Sequence, residues 1–307
     1  MFRFNFQVDD DEDGDINMAH STEPTPSDTT IQPPPRHRVR AKHISPPSDP
    51  ITVHGTLLEL TPNTSFFQRD HPDLRSTMKE LSRSSSWIQR SLDGADLISG
   101  LYEGGFKTWE GTSDLIKLFE TEIEDSWWYH KSVLELGCGQ GLPGIYCLQR
   151  GSDVTFQDYN EEVIYHLTMP NILLNQQFYV TPPKRLILCA SPSSMQNASF
   201  VSGDWSRVKR LFDEGGKKYD VILTAETVYN DESHVPLFEI LKSALKADGT
   251  IFLAAKSNYF GCSGDLASFL QLVDEDGSMK WETVHVVTKT VRREVIRLTF
   301  VNQHISS

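Results

Sequence analysis

A doubly wound α/β sheet, parallel across most of its width and closed by an antiparallel hairpin, is the fold that three observations predict. A short apolar strand at 133–136 runs into a turn with glycine at Gly137, Gly139, Gly141 and Gly144. Apolar runs at 154–158, 200–203, 221–224 and 250–254 follow, alternating with helical patterns, which is the signature of a parallel sheet. The last two runs, 283–287 and 295–301, are joined by a connection too short for a crossover helix and are therefore expected to pair as a hairpin. Seven strands ending this way differ from a six-strand parallel dinucleotide domain.

The elements follow in order. Residues 1–50 combine an acidic run with Ser, Thr and Pro, including Pro33 to Pro35 and Pro46-Pro47. So few apolar residues cannot offset the entropy of ordering, and a disordered acidic, Pro-rich extension is expected. Within it Arg36, Arg38, Arg40 and Lys42 form a basic cluster, either a solvated charge run or a signal for nuclear import or RNA contact. Phe2, Phe4 and Phe6 alternate with polar residues, as in a short strand, a docking peptide or an unstructured end. Residues 51–93 are mixed and reach Ser84-Ser85-Ser86, a linker or accessory segment. The compact domain is expected over 94–307, with helices at 113–122, 161–174 and 235–245. Residues 181–199, with Pro182-Pro183, read as a surface excursion.

At 307 residues, 38% hydrophobic and 23% charged, the chain can bury one sizeable core and carry an extension besides. A formal net charge of −13 argues against nucleic acid held by charge and in favour of a basic protein partner. Cys138, Cys147, Cys189 and Cys262 lack metal-binding spacing and read as reduced thiols, so no metal is expected. The opening residues run into acids instead of an apolar signal block, and no apolar run is long enough to span a bilayer. A soluble intracellular monomer is expected.

The glycine turn carries the chemistry. Glycines let the backbone take positive φ and approach a ligand closely, while the next helix offers unpaired N–H groups. Gly139, Gly141 and Gly144 also satisfy the dinucleotide pattern G-x-G-x-x-G. Glu135, inside the strand, would oppose a pyrophosphate but suits the cationic amino acid and sulfonium of S-adenosyl-L-methionine (SAM). Asp158 ends the next strand, where a ribose needs a carboxylate. A merely tight strand-to-helix turn is the plainer alternative. Asp204 and Trp205 end the third strand, either accepting from and stacking on an adenine or capping and packing a helix. Ala225, Glu226 and Tyr229 follow the fourth strand and are the candidate acceptor site. The segment 104–112 is either a lid or a plain helix start capped by Thr112.

These segments are ordered as in a known family. Residues 96–110, 133–141, 156–160, 202–205, 222–230 and 256–261 together resemble the eukaryotic protein-histidine N-methyltransferases, and Phe2 to Phe6 resemble that family's start. The resemblance implies a Rossmann-like seven-strand methyltransferase sheet, SAM as cofactor and, as substrate, a histidine of a large-subunit ribosomal protein, in cytoplasm and nucleus. Carried over by residue, the cofactor shell would be Thr108, Trp109, Glu110, Gly111 and Thr112, then Gly137, then Gln157, Asp158 and Tyr159, then Gly203, Asp204 and Trp205, and Ala225. Glu226 and Tyr229 fit the acid-x-x-aromatic motif of the wider group and take the catalytic roles. About three quarters of histidine side chains are neutral at pH 7, so alignment matters more than a strong base. Glu226 is expected to orient the imidazole and take its proton, with Tyr229 as a wall; support of the cofactor is the alternative role. A lysine methyltransferase and a non-catalytic SAM-binding assembly factor are the competing readings.

Overall fold

The computed structural model describes residues 39–83, 88, 102–176, 182–191 and 195–301. Its strands are β1 (Lys42–Ile44), β2 (Ile51–Glu59), β3 (Ser65–Arg69), β4 (Ser132–Leu136), β5 (Asp153–Asp158), β6 (Arg185–Ala190), β7 (Ala198–Ser202), β8 (Tyr219–Ala225), β9 (Leu245–Lys256), β10 (Met279–Val287) and β11 (Arg293–Phe300). The main sheet has the order β1-β7-β5-β4-β8-β9-β11-β10. Pairings of β4 with β5 and β8, of β5 with β7 and of β8 with β9 are parallel. β11 lies antiparallel between β9 and β10, which makes the expected terminal hairpin. All seven strands read from the sequence are present in this sheet.

Helices cover both faces because successive strand residues point to opposite sides. Val133 on one face packs in a core with Leu115 and Phe119 of α2 (Glu110–Glu122), Tyr146 of α3 (Leu142–Leu148), Trp128 and Phe156. α1 (His71–Leu81) lies outside that core. Leu134 and Leu136 face the other core, built from Phe212 of α6 (Trp205–Gly215), Leu237 and Leu241 of α7 (His234–Ala244) and Phe269 of α8 (Leu266–Asp276). The expected helix at 161–174 is one helical run: α4 (Glu161–Val163), a π turn (Ile164–Thr168) and α5 (Met169–Leu174).

Two stretches differ from the sequence reading. β1, within the expected disordered extension, pairs antiparallel with β7 and so adds an eighth strand to the sheet. The Asp204 N–H donates to the Val39 carbonyl at 3.1 Å, and a Cβ on Gly203 would stand 2.7 Å from Ala41 Cα. The segment expected as linker or accessory forms β2, β3 and α1, and β6 arises inside the expected surface excursion; together they make a second antiparallel sheet, β3-β2-β6. Asn175 fastens this sheet to α5, accepting from Phe67 N–H at 2.8 Å and donating to its carbonyl at 2.6 Å. Backbone pairing and these amide contacts supply what the weak apolar pattern does not announce. Most of the expected extension, residues 1–38, and Ser84 to Ser86 lie outside the described residues.

Candidate functional site

The C-terminal ends of β4, β5 and β8 open into a cleft of about 880 Å³. Gly137, Gly139 and Gly141 all have positive φ there, and Gly141 is the N-cap of α3. The buried Asp158 carboxylate receives N–H bonds from Gly139 and Asn160, both at 3.0 Å, and burial pushes it up to about 6. Glu135 sits behind the turn with Oε2 accepting from Gly144 N–H at 2.9 Å. Burial pushes it up to about 8, the Gly144 bond opposing and the Asp158 charge adding to the rise.

The other expected residues divide into wall and support. Thr108, Trp109, Thr112, Tyr159, Asp204, Trp205 and Ala225 line the cleft with the glycines and the two acids. Gln157 and Gly203 stand behind it. Gln157 accepts from Trp205 Nε1 at 2.9 Å and from Gly137 N–H at 3.3 Å, and donates to the Gly203 carbonyl at 2.9 Å, so one buried amide orients the indole and the glycine turn. Asp204 caps α6 through Ser206 N–H at 3.0 Å, the capping alternative, while still facing the cleft. Thr112 is inside α2, whose N-cap is Trp109, so it is not the cap. Ahead of that helix the chain crosses the glycine turn: a Cβ on Gly139 would lie 3.1 Å from the Gly105 carbonyl, and Trp109 Nε1 donates to Gly104 at 3.1 Å. The lid segment thus closes over the turn and starts the helix as well.

Glu226 is the least ordinary residue of the site. It has φ +56, unusual for a residue with a Cβ, and is buried. Its Oε1 accepts from Gly111 N–H at 3.1 Å; a Cβ on Gly111 would come within 3.1 Å of Glu226 Cγ. Gly111 therefore serves Glu226 and, like Glu110, does not line the first cleft. Oε2 is buried with no partner at hydrogen-bond geometry, although the Tyr259 hydroxyl is close enough to favour its charge. Burial raises the pKa of this carboxyl, and the Lys256 charge opposes the rise. The Tyr229 hydroxyl donates to Glu103. Glu226 and Tyr229 also line an adjoining cleft of about 740 Å³, which includes Glu110, Lys256, Tyr259 and the 72% exposed Phe260. The sequence reading assigned no chemistry to Lys107, Lys256, Tyr259 or Phe260, because only the fold brings these two segments together around Glu226 and Tyr229.

The donor set fits SAM. With Glu135 held neutral by burial, Glu103, Asp158, Asp204 and Glu226 still outnumber Lys107, the one lysine among the described residues lining the first cleft, a balance that favours a cationic ligand and disfavours a pyrophosphate. The indole of Trp205 adds a face for a purine. Among the described residues no group of three His, Cys, Asp or Glu is arranged to hold a metal ion, and no helix is long and apolar enough to cross a membrane.

Comparison with known proteins bears on the same segments. Residues 100–275 match a family described as "Lysine methyltransferase". The histidine protein methyltransferase 1 of Schizosaccharomyces pombe is 31% identical over 267 residues, covering 76% of this chain and 76% of that protein. The chain belongs to the histidine protein methyltransferase 1 family. Family homologues from Dictyostelium discoideum and Bos taurus are 42% and 36% identical, over 69% and 73% of this chain. The chain spans 62% of the length of each of those two. The family match takes in the glycine turn, Asp158, Trp205, Glu226 and Lys256, the residues that form the two clefts.

Proposed function

We propose that this chain is a SAM-dependent protein-histidine N-methyltransferase acting on a histidine of a basic large-subunit ribosomal protein. The observation that carries the reading is Glu226, buried where two clefts meet, one oxygen fixed by Gly111 and the other unpartnered. Asp158 would accept from the ribose hydroxyls, Glu135 holds the helix start through Gly144 N–H, and Trp205 would offer its indole face to the adenine. Bound SAM supplies an electrophilic methyl group to a nucleophile in line with it. Glu226 Oε2 accepts the N–H of the acceptor imidazole, which fixes the tautomer and aims the other ring nitrogen's lone pair at the methyl group. As the ring becomes cationic, the same oxygen takes its proton. Tyr229, held by Glu103, walls the ring on one side.

The net charge of −13 suits a basic protein substrate, and a ribosomal acceptor implies work in nucleus and cytoplasm. A protein-lysine methyltransferase is the second reading, favoured by the description of the matched family. Labelled methyl transfer from SAM to isolated large ribosomal subunits, followed by acid hydrolysis and amino-acid analysis, tests both. Methylhistidine is expected. Methyllysine establishes the second reading, and SAM binding without transfer overturns the enzyme reading in favour of an assembly factor.

A further inference from the structure

The acceptor cleft contains two lysines that methyl transfer does not itself require. Lys256, the last residue of β9, places its ammonium 3.0 Å from Glu110 Oε2 and 5.4 Å from the centre of the Trp109 ring. Its side chain is 16% exposed, so this charge is held in place and not solvated at a rim. Lys107 lies 4.6 Å over the same indole. The charged groups around Lys256 are Glu103, Glu110, Glu226 and Lys107; Arg293 is also near, paired with Asp114 at 2.6 Å. Three acids and two lysines leave one negative charge, which the sulfonium of bound SAM cancels. The cleft is then balanced for an acceptor without charge.

We propose that Lys256 determines acceptor specificity: paired with Glu110 in the cleft that Glu226 also lines, it offsets the cleft's carboxylates, so that the cleft takes a neutral imidazole and refuses a protonated alkylamine. The proposal rests on the acceptor-site reading above. At pH 7.5 about nine-tenths of imidazole groups are neutral, but only about one lysine amine in a thousand is. A cleft whose carboxylate lacked a cationic neighbour would capture the ammonium and deprotonate it in place. With Lys256 present, only the rare neutral amine enters, since like charges at this range disfavour the protonated form.

The test uses two bisubstrate analogues in which a nitrogen replaces the sulfur of SAM and bears either an imidazole or a primary alkylamine arm. The linker nitrogen is common to both, so its effect cancels in their ratio, and S-adenosylhomocysteine binding reports the fold of each variant. By calorimetry at pH 7.5 the wild type is expected to bind the imidazole analogue at least tenfold tighter. Relative affinity for the amine analogue should then rise about tenfold per pH unit up to pH 9.5, as the amine sheds its proton. In Lys256→Gln the preference should fall below threefold and the pH dependence vanish, whereas Lys256→Arg should keep both. A folded Gln variant with the wild-type preference overturns the proposal, as does a wild type whose amine affinity is flat with pH, a result available even if the Gln variant does not fold. Wild-type binding of neither analogue tighter than S-adenosylhomocysteine means instead that the acceptor site itself is misassigned.

Discussion

Asp158 and Glu135 share one buried pocket floor, yet they lead to different expectations. A ribose hydroxyl donates to a carboxylate, so Asp158→Ala should weaken SAM binding by roughly 1.5–3 kcal/mol, about 10- to 150-fold, in a folded protein. Wild-type affinity in calorimetry would remove Asp158 from the ribose site. Glu135 shows its character through stability. Its carboxyl rises from 4.5 unfolded to about 8 folded, so between those values the folded state keeps a proton that the unfolded chain has shed. Stability is therefore greatest at the acid side of that window and declines as pH rises through it. Glu135→Gln should flatten the decline between pH 5 and 8, and melting curves with equal slopes for both proteins would contradict the assignment. For Glu226→Gln, single-turnover methylation should fall by about 10²- to 10⁴-fold before SAM affinity changes. Loss of affinity in parallel would place Glu226 among the cofactor contacts. Glu135 and Asp158 were legible because a strand end and a glycine turn are local patterns. The Gly111–Glu226 bond was not, since it joins residues 115 apart.

Among the elements, β4, β5, β7, β8 and the second half of β9 were legible because each carries side chains buried on both faces, whereas β10 and β11, more exposed, were legible from their apolar residues and the short connection between them. β1 was not, being three residues long with one buried side chain, Ile44, in a basic and Pro-rich setting. β6 alternates exposed and half-buried residues and is flanked by prolines, so its apolar signal is diluted. β1 nevertheless has a consequence for the cofactor. Val39 and Ala41 lean on Asp204 and Gly203, at the edge of the cleft where Trp205 begins. A truncation starting at Val39 retains these contacts and should bind SAM as the full chain does; one starting at Ile51 removes them and should bind at least tenfold more weakly. Equal affinity of the two folded truncations in calorimetric titration would show that the strand has no part in the site. The sequence reading, which placed residues 1–50 outside the core, leads to that equality.

At the scale of the whole molecule the charge of −13 acts over distances that no pocket residue reaches. Residues 1–38 hold eight acids and three arginines, a net −5, so a chain starting at Val39 still has −8. That remaining charge would attract a basic partner, such as the proposed ribosomal acceptor, from beyond contact range, while salt shortens the reach from about 10 Å at 0.1 M to about 3 Å at 1 M. The enclosed cofactor cleft is screened much less. Raising salt from about 50 to 300 mM should therefore lower kcat/KM for a basic ribosomal-protein acceptor roughly tenfold and leave the KM for SAM nearly constant, in the full chain and, less steeply, in the chain starting at Val39. Initial rates at varied salt for each substrate measure both quantities. Acceptor kinetics indifferent to salt would mean that recognition is confined to the acceptor cleft, and an equal fall for SAM would mean that salt perturbs the fold and not the encounter.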